Sequence, residues 1–260
     1  MPEVPVKLYI DKVLKRCRDS VSKIGLLSGP MKDRALHAMA ERLVRDEEAI
    51  LIANQKDVDA LGKSFGTELN KDRLKAAVAR VRMGADDVKE MAEGLRIIAD
   101  RPDPVGMVTS RWERPDGLVV SRVRVPIGVI GIISELKPLV TVESIALCLK
   151  SGNVSVFRGS PEWAQTHDVI GRGLREAAQE NGIPEGAWAL IDRPEKEAAI
   201  ELIRSGRALD AIIPRGGAGL RKAVLDAARM PIICHDGGLT HLYVDAEVDL
   251  PLVQNVVINS

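Results

Sequence analysis

Ile127-Gly128-Val129-Ile130-Gly131-Ile132-Ile133 is a nearly continuous apolar run, and its reading decides the fold. A strand with one wet face alternates apolar and polar residues. An uninterrupted run is expected of a strand buried on both faces of a parallel sheet. The residues after it continue that pattern. An apolar helix is predicted over 140–150, closed by the stop signal Ser151-Gly152-Asn153. Strands follow at 153–157, 188–191 and 209–213, with helices at 162–181, 195–204 and 219–229. Short strands are expected at 231–234 and 241–244, and a last helix or turn at 249–258. Strands alternating with helices imply a parallel sheet covered on both faces.

Upstream the character differs. Leu36, Met39, Ala40, Leu43 and Val44 recur at helical spacing, after the breaker Leu27-Ser28-Gly29-Pro30. A second helical run, with charges on a solvated face, is predicted over 71–100 and ends at Arg101-Pro102-Asp103-Pro104. Two β-favouring stretches, 107–113 and 118–125, flank the turn Arg114-Pro115-Asp116-Gly117 and read as a hairpin. Such a ribbon has little core of its own and needs something to pack on. The expected organisation is a helical part over 1–104, a hairpin over 105–125 and a parallel α/β part over 126–260.

The chain has 260 residues, with Lys+Arg and Asp+Glu equal at 37 each, so neither nucleic acid nor an anionic membrane is indicated as a partner. Cys17, Cys148 and Cys234 are few and widely spaced, which argues against a disulfide framework or a zinc site and for a reducing compartment. The start Met1-Pro2-Glu3-Val4 does not read as a signal peptide, and no apolar stretch approaches the ~20 residues that span a bilayer. The expected location is the cytoplasm.

Open parallel sheets bind ligands at the carboxyl ends of their strands, so the loops there are the candidates. After the apolar strand, Ser134-Glu135-Leu136-Lys137-Pro138 puts an acid and a base at a strand end. Arg158-Gly159-Ser160-Pro161 joins an arginine to a helix start, with Ser160 suited to cap and Pro161 to the first helical position. Free N–H groups and the arginine together would suit a phosphate; the arginine would favour NADP over NAD. Pro214-Arg215-Gly216-Gly217-Ala218-Gly219-Leu220 runs from a strand through glycines into a helix, where backbone can approach an anion closely. It matches neither GxGxxG nor a Walker loop. The fourth loop, Cys234-His235-Asp236-Gly237-Gly238-Leu239-Thr240-His241, holds metal-ligand and nucleophile types. Neighbouring Cys234 and His235 on a strand would face opposite ways and could not pair there, so neither a nucleophile pair nor a metal is assigned. Cys148 reads as a core filler.

Several blocks, in order, carry a resemblance. Val123-Arg124-Val125-Pro126-Ile127-Gly128-Val129-Ile130-Gly131 strongly resembles the corresponding block of γ-glutamyl phosphate reductases. So do 146–153, 212–220 and 241–245, along with Ala53-Asn54-Gln55-Lys56-Asp57 and Pro102-Asp103-Pro104-Val105-Gly106. The resemblance implies an aldehyde dehydrogenase fold: a Rossmann-type cofactor domain with N-terminal helices and a protruding hairpin used in assembly. It implies NADPH-dependent reduction of γ-glutamyl phosphate to glutamate-5-semialdehyde, with phosphate released, in proline biosynthesis. In that family a cysteine thiolate attacks the acyl phosphate, and the thioester formed is then reduced. The family's Pro-x-x-Cys-Asn stretch would fall beyond Ser260, so these residues are expected to be the NADP-binding portion, without catalytic residue or catalytic domain and inactive alone.

The resemblance further implies a homo-oligomer and glutamate 5-kinase as a pathway partner. Glu135 and Lys137 would line the substrate entrance, Arg158, Gly159 and Ser160 would hold the adenosine 2′-phosphate side, and Arg215, Gly216, Gly217 and Gly219 would lie near the pyrophosphate. The family's usual Glu-Ser-Arg-Pro-Asn-Val-Thr is here Glu135-Leu136-Lys137-Pro138-Leu139-Val140-Thr141, which replaces a planar guanidinium with an ammonium and loses an amide. The alternatives are a non-catalytic NADP-binding or partner-binding homologue, and an aldehyde dehydrogenase with another acyl substrate.

Overall fold

The computed structural model describes residues 4–64, 71–234 and 241–259. The helical region comprises α1 (Val6–Arg18), α2 (Val21–Gly25), α3 (Gly29–Arg45), α4 (Glu47–Ser64), α5 (Lys71–Val81) and α6 (Ala85–Ala99). In α3, Pro30 sits at the start of the helix, and Ala35, Leu36, Met39, Ala40 and Leu43 form its buried face. The run expected over 71–100 is two helices. The chain turns at Arg82-Met83-Gly84, where the side chain of Asn54 accepts from the Met83 amide at 2.8 Å and that of Asp87 from the Gly84 amide at 2.8 Å. Those two side chains satisfy amides that a continuous helix would have bonded internally.

Next come β1 (Val108–Glu113) and β2 (Val119–Val123), an antiparallel hairpin separate from the main sheet. Its strands lie on the surface, with Trp112, Val119 and Val123 exposed.

The main sheet holds β3 (Val129–Ser134), β4 (Val154–Arg158), β5 (Trp188–Leu190) and β6 (Ala211–Arg215) in the order β5-β4-β3-β6, all pairs parallel. Every residue of β3 is buried, as the apolar run requires. Between the strands run α7 (Pro138–Lys150), α8 (Ala164–Glu180) and α9 (Lys196–Arg204), and after β6 comes α10 (Ala218–Ala227). Right-handed crossovers put α7 and α8 on one face and α9 and α10 on the other. The helical region packs on the first face through α3 and α6, while α1 lies against α9, β4 and β5. One core joins both regions: Leu36, Met39, Met91 and Leu95 from the helices meet Ile145, Leu174, Val129 and Ile133.

Two expected strands are not present. Over 231–234 there is a single bridge, Ile212 to Ile232, and 241–244 lies exposed in irregular backbone, Tyr243 at 86%. At 231–234 two backbone bonds to Ile212 form the bridge and the pairing goes no further, while 241–244 joins no strand among the described residues, so a β-favouring composition alone does not make a strand. The last helix, α11 (Leu250–Asn259), has no buried residue. No helix among the described residues is long and apolar enough to cross a membrane.

Candidate functional site: three strand-end loops at a topological switch point

The chain leaves β3 toward β4 and β5, then returns to the other side of β3 to form β6. The loops after β3 and β6 therefore diverge from adjacent strands, which makes the crevice between them the switch point of the sheet. The Glu135 amide donates to the Arg215 carbonyl at 2.9 Å, extending the ladder one residue past Ser134. The Glu135 carboxylate then accepts from the Gly217 amide at 3.1 Å. Gly217 is the N-cap of α10, so this carboxylate sits at the positive end of a helix. A Cβ on Gly216 would stand 2.5 Å from the Glu135 carboxylate, and one on Gly219 would meet nothing. The structure thus brings Glu135 together with Arg215, Gly216 and Gly217. Lys137 points elsewhere: its ammonium pairs at 3.3 Å with Asp87 of α6, both partly exposed.

Arg158 ends β4 and donates to the Pro194 carbonyl at 3.1 Å. Its Nε is buried with no partner among the described residues, as is one carboxylate oxygen of Glu195 at the start of α9. Burial pulls the Arg158 pKa below its ordinary value, against the charges of Glu135 and Glu195, which raise it. Orphaned buried polar atoms at a strand end fit a site that a polar ligand completes.

Gly159 must be small because a Cβ there would run into the His167 ring. His167 holds Thr141 at 2.9 Å, and burial lowers its pKa to about 4, so it is neutral at physiological pH. Ser160 starts a short 3-10 turn but makes no side-chain cap, contrary to expectation. The start of α8 is held instead by Asp57 of α4. Its carboxylate accepts from the Gln165 and Thr166 amides at 3.0 and 2.9 Å and from the Thr166 hydroxyl at 2.6 Å. Those two N–H groups are therefore already engaged within the chain. Gly159 and Ser160 also border a cleft of about 480 Å³ between α8 and the β5–α9 loop, shared with Pro161, His167, Arg193 and Pro194.

Sequence reasoning passed over Asp57, Glu195 and His167. Asp57 lay within a block already singled out for resemblance, and Glu195 is the first residue of the helix predicted over 195–204, which the structure makes the N-cap of α9; either position could have been read as a cap or charge partner.

The fourth loop falls largely on 235–240, outside the described residues. Among those described, no group of acidic, His and Cys side chains could hold a metal ion. Cys17 and Cys148 are buried, and desolvation pushes their thiols up to about 11 and about 12; Cys234 is exposed. An aromatic disulfide reagent should therefore modify one thiol rapidly in the native chain and all three after denaturation. Fast modification of two or more native thiols would contradict this burial.

Comparison with known proteins agrees with the fold. A model of the aldehyde dehydrogenase family matches residues 10–260. The chain is 42% identical over 246 residues to the gamma-glutamyl phosphate reductase of Heliobacterium modesticaldum, covering 95% of this chain and 57% of that relative. It is 43% identical over 255 residues to that of Moorella thermoacetica, covering 98% and 59%. The crystal structure of the gamma-glutamyl phosphate reductase of Thermotoga maritima superposes with a TM-score of 0.84 at 34% identity, over 96% of this chain and 59% of that one. The chain thus spans less than two thirds of the length of these relatives.

Proposed function

The chain belongs to the aldehyde dehydrogenase family, and from that premise we propose that it forms the dinucleotide-binding portion of a γ-glutamyl phosphate reductase. The whole protein would reduce γ-glutamyl phosphate to glutamate-5-semialdehyde, releasing phosphate, in proline biosynthesis. The observation that carries the reading is the placing of three loops at the ends of adjacent strands, with Glu135 bonded to Gly217 across the switch point and Arg158 beside Ile133 in the β3–β4 ladder. Family membership implies a nicotinamide cofactor, and the residues present fit one. Arg158, Gly159 and Ser160 would take the adenosine 2′-phosphate, which selects NADP. Arg215, Gly216, Gly217 and Gly219 would lie along the pyrophosphate, where glycines and the α10 N-terminus let backbone amides reach an anion. When bound, the reduced nicotinamide supplies the hydride.

Glu135 and Lys137 would stand on the substrate side. Lys137, half-exposed and only surface-paired, can turn its ammonium to a phosphate or carboxylate at little cost. None of Cys17, Cys148 and Cys234 would serve as the family's nucleophilic cysteine. By this reading the chain alone captures the dinucleotide and produces no semialdehyde. The hairpin, with its exposed Trp112, Val119 and Val123, would serve assembly of the whole protein into an oligomer.

Calorimetry on the 260-residue chain tests the cofactor assignment. NADPH should bind more tightly than NADH, and Arg158→Ala should weaken NADPH about 10- to 100-fold while leaving NADH nearly unchanged, as expected for a charge-assisted phosphate contact. Equal loss for both cofactors would remove Arg158 from the 2′-phosphate.

A further inference from the structure

We propose that Glu135 is a built-in placeholder anion. In the ligand-free chain its carboxylate occupies the anion seat at the start of α10, and a dinucleotide phosphate must displace it to bind. This rests on the cofactor reading above and adds how that site is held closed.

The backbone of Glu135 is pinned to β6 by the amide bond to the Arg215 carbonyl, so its Cα is fixed beside the glycine loop. Only the side chain has freedom, and it folds across Gly216 to reach the Gly217 amide at 3.1 Å. The closeness of the carboxylate to Gly216, 2.5 Å from where a Cβ would be, shows that it lies on the bare backbone surface a phosphate would use. A carboxylate and a phosphate oxygen seek the same donors there: the cap amide, the first free N–H groups of the helix and the positive end of its dipole. Two anions cannot share a seat of that size.

A second observation comes from β4. Arg158 is half-buried, carries an Nε with no partner among the described residues, and feels Glu135 as the first of two carboxylates. Glu135 therefore offsets both cationic elements of the site, the guanidinium and the helix start. Its side chain is exposed and free to swing toward solvent. One displacement then frees the Gly217 amide at the start of α10 and takes a negative charge away from the neighbourhood of Arg158. Until then the carboxylate satisfies the Gly217 amide and keeps the loops after β3 and β6 together. A protein whose competent state is only partly populated binds its ligand more weakly by that fraction, and removing the competitor restores the difference.

The test is calorimetry of the 260-residue chain and its Glu135→Gln and Glu135→Ala variants, with NADPH and with inorganic pyrophosphate as probes. Thermal melts confirm that the variants are folded. Both variants should bind both probes about two- to five-fold more tightly than the parent, the effect of removing one anion from a helix N-terminus. Gln is the stricter case, because it keeps the shape and removes only the charge. Parent binding with unchanged or weaker binding by the variants overturns the placeholder role and leaves the cofactor site standing. Absence of binding by parent and variants alike overturns both.

Discussion

Asp57→Ala is expected to destabilise the chain by about 3–5 kcal/mol, measured as a lowered urea midpoint with an unchanged slope. Asp57 is 5% exposed, and its carboxylate serves two α8 amides and the fully buried Thr166 hydroxyl. Truncation leaves three donors without acceptors in a place water reaches poorly, at roughly 1–3 kcal/mol each. It also removes a negative charge from a helix N-terminus. The neighbouring Asn54, 2% exposed, binds the Val81 carbonyl, the Met83 amide and Thr166, so the loss spreads along the α4–α8 contact. Asp57→Asn keeps one acceptor oxygen and should cost roughly half as much. A change below about 1 kcal/mol for Ala would mean that this buried network does not hold α8 in place.

Lys150→Met should cost about 3 kcal/mol by the same measurement, although it nearly preserves volume. The Lys150 side chain is 5% exposed; its ammonium pairs with Asp33 of α3 and donates to the Ala99 carbonyl at 2.6 Å. Beside it the 1%-exposed Lys32 donates to the Lys150 carbonyl at 3.0 Å and pairs with Asp103 at 2.6 Å. Two buried cations thus tie α3, the end of α6, the 101–104 turn and the end of α7 together. Methionine fills the space but leaves the buried Ala99 carbonyl unsatisfied and takes the partner from Asp33, whose side chain is 37% exposed. Replacing Asp33 by Asn as well should recover part of the loss, because the uncompensated carboxylate goes with it. Strict additivity of the two changes would show that the ion pair is energetically idle.

These networks explain what could be read from sequence and what could not. The parallel sheet was legible because the run 127–133 is almost entirely apolar and strands alternate with helices after it, the first helix closed by the stop signal Ser151-Gly152-Asn153. There Gly152 adopts a positive φ of 71° and the Asn153 side chain accepts from the Ile127 and Gly128 amides, so the signal also anchors the start of β3. Local patterns failed where a distant side chain decided the outcome. Asn54 and Asp87 split the 71–100 run into α5 and α6, and Asp57 rather than Ser160 holds the start of α8. The segment 241–244 has strand-like residues but joins no strand among the described residues.

The same distinction runs through the site. Strand-end position identified Glu135, Arg158 and the 215–219 loop as candidates, since topology alone brings such loops to one edge. What each side chain does there depends on partners far away in sequence. Glu135 reaches 82 residues forward to Gly217, Arg158 reaches the Pro194 carbonyl, and Lys137 turns back to Asp87. The recognisable blocks at 53–57, 102–106 and 146–153 supply Asn54, Asp57, Asp103, Lys150 and Asn153, all of them in the scaffold that positions the loops.

The most direct measurement is a crystal structure of the 260-residue chain with NADP⁺. The pyrophosphate should lie on Gly216, Gly217 and Gly219 at the start of α10, with the 2′-phosphate on Arg158 and the Glu135 carboxylate turned away from the Gly217 amide. A dinucleotide lodged only in the cleft between α8 and Arg193-Pro194, with Glu135 still bonded to Gly217, would contradict the account.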